Sequence, residues 1–173
     1  MQYKVTPDIY KWNDGARFVL GLRGEKPLIV FGINPSDADK NESDPTIENV
    51  IKRSQRYGFD GWIMLNIYPL RDTHPKNLRD KYNQALHEEN KQYIAQVLSD
   101  YPDADICAAW GININVSLYL KQCLRDIYNQ SGLSKHSWKS IGPLSKDGHP
   151  RHPLYLSLSL PLVDFDIQSY LNK

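Results

Sequence analysis

Two asparagines and two histidines, Asn34, Asn66, His149 and His152, stand where this 173-residue chain could do chemistry. They lie in three short polar segments: Gly32-Ile33-Asn34-Pro35-Ser36 after the apolar run Leu28-Ile29-Val30-Phe31, residues 66–75 after Trp62-Ile63-Met64-Leu65, and Gly148-His149-Pro150-Arg151-His152-Pro153 near the end. A carboxamide offers both a donor and an acceptor, and an imidazole exchanges a proton near neutral pH. Parallel-sheet proteins build their sites where strands end, so the positions are as telling as the residue types.

The elements that must hold these segments alternate between strand-like and helix-like patterns. Residues 28–33 form a continuous apolar run of the kind buried on both faces, and residues 62–67 and 106–110 are further central-strand candidates. Asp44-Pro45 offers an N-cap with proline at the first helical position, followed by Ile47, Val50, Ile51 and Tyr57 at helical spacing until Gly58. A second helix is expected over 83–101, with Tyr93, Ile94, Val97 and Leu98 on one side. A third should follow Gly111, carrying Val116, Leu120, Cys123, Leu124 and Ile127 inward and ending near Gly132. Residues 138–141 and 154–158 read as weaker strands, and a short helix should start at Asp164 with Phe165, Ile167, Tyr170 and Leu171 inward. The segment before Arg23 is ambiguous, with an antiparallel edge as one reading. The alternation predicts one α/β domain over residues 1–173: a mostly parallel sheet covered by helices on both faces, in three α/β/α layers.

Composition narrows the function classes. Hydrophobic residues make up 40% of the chain, enough for an ordinary core, and no apolar run approaches membrane-spanning length. The reading is a soluble, cytoplasmic protein without a membrane partner. Cys107 and Cys123 both fall among apolar residues and form no Cys-x-x-Cys pair, so neither a disulfide framework nor a zinc or iron–sulfur centre is expected. A net charge of +1 argues against tight non-specific binding to polyanions. Locally, Lys135, Lys139, Lys146 and Arg151 with His136, His149 and His152 are opposed only by Asp147, which is either a basic patch or a solvated loop.

Two resemblances rest on these segments. Asn34-Pro35-Ser36 with Ala38-Asp39, Asp44-Pro45-Thr46, Asn66 followed by Arg71 and residues 73–75, Trp110-Gly111, and residues 146–155 resemble domain of unknown function family 1643. More distantly, the chain resembles the uracil-DNA glycosylase superfamily. There a Gly-x-Asn-Pro or Gly-x-Asp-Pro motif, a strand-ending Asn, a Trp-Gly and a His-Pro-x-Pro-Leu loop follow successive strands. Here the same order is Gly32-Ile33-Asn34-Pro35, Leu65-Asn66, Trp110-Gly111 and His149-Pro150-Arg151-His152-Pro153-Leu154. The last loop carries one extra residue, so either histidine can occupy the family position. The first motif continues with Ser36, and the Asp44-Pro45-Thr46 helix start has no counterpart in that superfamily.

The distant resemblance implies hydrolysis of an N-glycosidic bond on a nucleobase in nucleic acid or a nucleotide. No cofactor is expected, and although the three-residue spacing of His149 and His152 could suggest metal ligation, with no Cys and only Asp147 nearby no metal is expected. Such a hydrolysis develops a cationic sugar and an anionic base, so it needs an oriented water and a donor near the departing base. By resemblance, Asn34 would orient the water and His149 or His152 would donate. Gly32, Ile33 and Pro35 would shape the pocket, Asn66 would read a pyrimidine edge, and Phe31 or Tyr68 would stack on the ring. Arg71, Lys146 and Arg151 would contact phosphates, and Leu154 with Tyr155 would wedge into the duplex. Plainer roles are open for each. Asn34 and Asn66 can cap loops, Arg71 can pair with Asp72 at the surface, and the histidines can be loop residues without chemistry. The acidic residues Asp37, Asp39, Glu42 and Asp44 can be a solvated turn, a cover over the site, or a Mg²⁺ holder with phosphates. A non-catalytic nucleic-acid or nucleotide-binding module and a protein-interaction domain are the alternatives to an enzyme.

Overall fold

Apolar runs rich in β-branched and aromatic residues, each closed by a Gly or Asn, become the strands at the centre of the sheet. The computed structural model describes residues 1–130 and 132–173. Among the described residues, seven strands occur in chain order: β1 (Ile9–Asn13), β2 (Ala16–Leu22), β3 (Pro27–Gly32), β4 (Gly61–Asn66), β5 (Ile106–Ala108), β6 (Trp138–Ile141) and β7 (Leu162–Asp164). Their order across the sheet is β1-β2-β4-β3-β5-β6-β7.

The sheet is mixed rather than mostly parallel. β4, β3, β5 and β6 run parallel, while β1 pairs antiparallel with β2, β2 with β4, and β7 with β6. Short connections explain the departure at the N-terminal side of the sheet. Gly15, at φ +93°, lets the chain reverse between β1 and β2, and only residues 23–26 separate β2 from β3, too few for the crossover a parallel connection requires. The antiparallel edge expected near the N-terminus is β1, whereas β2 lies inside the sheet.

Among the described residues, four α-helices accompany the sheet. α1 (Pro45–Arg56) starts at Asp44, whose carboxylate accepts the Ile47 N–H at 2.8 Å, and α2 (Gln84–Asp100) starts at Asn83, which accepts from Leu86 N–H at 2.9 Å. Residues 111–116 form a 3-10 turn, and extended Ser117 separates it from α3 (Leu118–Gln130), so the single helix expected after Gly111 is two elements. α4 (Ile167–Leu171) is capped by Asp166 instead of Asp164, because Asp164 ends β7. The strand expected over 154–158 is absent. Pro153–Tyr155 is a 3-10 turn, favoured by proline at its first position and by the His152 ring accepting the Leu154 N–H.

Alternation along the strands divides the core. Ile29, Phe31, Ile63 and Leu65 pack with Ile94 and Leu98 of α2 and with Leu120 and Leu124 of α3. Leu28, Val30, Trp62 and Met64 face the other way, onto Ile47 and Val50 of α1. Each fully buried Leu or Ile here contributes about 1.5–3 kcal/mol. Cys107 and Cys123 are free and buried, and burial pushes both thiols up to about 12. Among the described residues, no helix is long and apolar enough to cross a membrane.

Candidate functional site at the carboxyl rim

Because β3 to β6 run parallel, their carboxyl ends share one edge of the sheet, and the loops leaving them meet there. Backbone hydrogen bonds tie these loops together: Tyr68 N–H to Ile33 O at 3.0 Å, Asp72 N–H to Pro35 O at 3.0 Å, and Gly111 N–H to Pro150 O at 3.0 Å. Gly111 takes φ +66°, and a Cβ there would lie 3.3 Å from the His152 Cβ, so glycine permits the Trp-Gly turn to press against the His-Pro loop. Between the loops and the first turn of α1 opens a cleft of about 630 Å³.

Asn34 and His152 line this cleft, each with one polar atom fixed and another free. The Asn34 Nδ2 donates to the carbonyls of Asp72 at 2.8 Å, Pro35 at 3.1 Å and Leu70 at 3.4 Å. Those three acceptors fix the amide's orientation, leaving Oδ1 without a protein partner among the described residues. For His152, Nδ1 accepts the Leu154 N–H at 3.3 Å, and a backbone amide can only donate. The neutral ring therefore carries its proton on Nε2, which has no partner among the described residues. Burial pushes the His152 pKa down, against an opposing pull from Asp44, so the neutral form is favoured.

His149 also borders the cleft, but both of its nitrogens are engaged. Nδ1 meets the Tyr170 hydroxyl at 2.8 Å and Nε2 meets the Asn115 amide at 2.9 Å, while Trp110 Nε1 donates to the same hydroxyl at 3.1 Å. Burial and then the charge of Lys121 lower its pKa. Of the two histidines, His152 is the one with a free N–H.

Asn66 sits directly behind the cleft floor. It is fully buried, and neither Oδ1 nor Nδ2 has a partner among the described residues. A Cβ on Gly32 would fall 2.9 Å from Asn66 Oδ1 and 2.6 Å from the Met64 methyl, so the missing side chain at Gly32 makes room for both. Gly32, Ile33 and Met64 line the cleft, whereas Pro35 is buried outside the lining.

Two expected stacking residues are elsewhere. Phe31 points to the opposite face of the sheet, its ring 5.8 Å from that of Trp138. Tyr68 is also in that core, and its hydroxyl donates to Lys81 O at 2.7 Å and accepts from Asn83 N–H at 2.8 Å.

The expected phosphate contacts separate too. Arg71 donates to Ser36 O at 3.0 Å, Ala38 O at 3.2 Å and the Tyr10 hydroxyl at 2.7 Å, bracing the loop after β3 from a groove outside the cleft. It forms no ion pair with Asp72, whose carboxylate accepts from His74 N–H at 2.8 Å and Asn77 Nδ2 at 3.1 Å. Lys146 is exposed and off the cleft wall, whereas Arg151, Leu154 and Tyr155 line it, Tyr155 at 87% exposure. The acidic residues of 37–44 make turns: Asp39 accepts from the Asn41 and Glu42 amides, and Asp44 caps α1. Among the described residues, no group of three or more His, Cys, Asp or Glu side chains could hold a metal.

Two buried arginines escape the reading of motifs. Arg17 borders the cleft from β2, donating to Ala38 O at 2.8 Å, and burial lowers its pKa to about 10 while Asp44 opposes the fall. Arg53 on α1 donates to Leu156 O at 2.7 Å, Ser157 O at 3.2 Å and Pro153 O at 3.4 Å, fastening the segment after His152 to the helix. Each had a sequence signal. Arg17 interrupts the apolar run Ala16-Arg17-Phe18-Val19-Leu20, and Arg53 follows Ile47 and Val50 at a three-residue interval.

A mixed α/β sheet whose parallel strands end at a cleft lined by both apolar and polar side chains is the class of fold and site this chain presents. The chain belongs to the family Protein of unknown function (DUF1643), whose model matches residues 17–154, a span that includes the rim loops after β3, β4 and β5 and the loop after β6 as far as Leu154. No curated protein and no solved structure matches the chain.

Proposed function

We propose that the cleft binds a nucleobase and hydrolyses the N-glycosidic bond that joins it to a sugar, the chemistry of the uracil-DNA glycosylase-like arrangement. The observation that carries this reading is the meeting of Asn34 and His152 on one cleft, each held rigidly with a complementary atom free. The Asn34 carbonyl accepts from a water and aims its oxygen at C1′. As the new C1′–O bond forms, the C1′–N bond breaks and its electron pair leaves with the base. The neutral His152 Nε2–H donates to the base oxygen on which that charge collects, and the water's proton passes to the base or to solvent.

Asn66 supplies the second support. A buried carboxamide with neither atom paired costs about 1–3 kcal/mol, and native proteins keep such groups mostly at working sites or against ordered water. Its donor and acceptor match one edge of a pyrimidine, and the methyl of Met64, a flexible side chain, shares with it the space left at Gly32. The exposed Tyr155, which lines the cleft, would stack on the ring in this reading.

The test is release of free base from a panel of nucleosides, nucleotides and oligonucleotides carrying common and deaminated bases. The wild type is expected to release base, Asn34→Ala and His152→Gln to lose about 10²–10⁴-fold in rate, and His149→Gln to lose much less. Release that survives both of the first two substitutions contradicts the reading.

A further inference from the structure

The charge on the cleft wall says more about the substrate than the motifs do. Three carboxylates, Asp37, Asp44 and Asp72, line the cleft, against two guanidiniums, Arg17 and Arg151. Arg17 is buried, is bonded to Ala38 O, and is faced by the charge of Asp44, so it is compensated in place. The two histidines on the wall are held toward their neutral forms. Arg151 is therefore the one accessible cation lining the cleft among the described residues, and Arg71 and Lys146 lie off it. Such a wall repels phosphate.

We infer that the cleft takes an uncharged nucleoside, base and sugar without phosphate, in preference to a nucleotide or a nucleic-acid strand. This rests on the glycosidic reading above and adds the substrate class to it. The chemistry agrees with the charge. In the transition state the sugar is cationic, and a phosphorylated substrate brings anionic groups of its own to stabilise it. A nucleoside brings none, and carboxylates on the wall supply the negative field instead. Asp37 and Asp72 remain for this, because Asp44 faces Arg17 while its two oxygens hold the backbone amides of Ile47 at 2.8 Å and Ala38 at 3.4 Å. The cleft, at about 630 Å³, is also of small-molecule size, within the range of about 300–1,000 Å³ usual for such sites.

The experiment compares uridine, deoxyuridine, cytidine, adenosine and inosine with their 5′-monophosphates and with single-stranded and duplex oligonucleotides carrying deoxyuridine or hypoxanthine. Base release is read chromatographically, and binding by ligand-observed NMR on the same intact protein. A nucleoside is expected to exceed its monophosphate in kcat/KM by at least about tenfold, and Asp37→Lys to narrow that ratio by about threefold or more. Faster release from a monophosphate or an oligonucleotide than from the nucleoside overturns the inference while leaving the glycosidic reading intact. No release from any probe overturns the glycosidic reading. In that case, nucleoside binding with exclusion of the monophosphate still supports the substrate class, and absence of nucleoside binding overturns it.

Discussion

At position 34 the side chain must donate, and that requirement accounts for asparagine rather than aspartate there. Three carbonyl oxygens converge on the Asn34 Nδ2, and an aspartate would set a carboxylate against all of them. Asn34→Asp is therefore expected to lower the unfolding free energy by about 1–3 kcal/mol or more, read from urea midpoints at unchanged slope. Unchanged stability would remove the bracing role. The histidines make a second prediction at this scale. His87, His149 and His152 all bind a proton less readily folded than their ordinary value of 6.5. Below that value the unfolded chain takes up the extra protons, so the stabilisation present above it is lost as pH falls toward the lowered folded values. Melting temperature should drop between about pH 7 and pH 5, before carboxylates such as Asp39 and Asp72, held below 3.8, begin to protonate. His152→Gln should flatten that drop, and a melting temperature independent of pH in this window would contradict the assignment.

Among the elements, α1 does two jobs through one side chain each. Asp44 caps its start and its charge faces buried Arg17, so Asp44→Ala should cost about 1 kcal/mol or more, while Asp44→Asn, which keeps the cap, should lose only the part owed to the charge. Arg53 ties its middle to residues 153–157, and Arg53→Leu leaves those carbonyls unpaired, at a cost of about 1–3 kcal/mol with faster hydrogen exchange over 153–160. Lysine at 53 should not restore it, because one ammonium cannot span the same carbonyls. Equal exchange in wild type and Arg53→Leu would show that the segment is held some other way. The central elements were legible because burial on both faces leaves unbroken apolar runs at 28–31 and 62–65, and because Asp44-Pro45 and Asn83 mark helix starts. The edge strand β7 was not, since its three residues are only partly covered and carry no alternation to read. The Pro153–Tyr155 turn was mistaken for a strand because Leu154, Tyr155 and Leu156 suit both, and a side-chain cap from His152 decides between them.

Taken as a whole, the molecule gathers what the chain spreads over more than a hundred residues, and it does so by running four strands the same way. The parallel centre could be inferred from the alternation of strands and helices, but the flanking antiparallel strands could not be dismissed. Asp14-Gly15 is a hairpin signal, and the link over 23–26 is too short for a crossover. The motif order located the loops that form the rim, yet it could not give side-chain direction. A one-residue change in parity puts Phe31 in the opposite core while Gly32 opens onto the cleft. Nor could it show that Arg71 is occupied by backbone carbonyls, a fact of tertiary contact alone.

The most direct test of the account is an NMR titration of the isotope-labelled protein with a nucleoside, following the His152 ring and the Asn66 side-chain amide together. Binding is expected to shift both resonances with one dissociation constant, while His136, bonded to Ala104 O and absent from the cleft lining, stays unmoved. Shifts that spare His152 and Asn66, or that gather at the groove beside Tyr82 and Leu118, would contradict it.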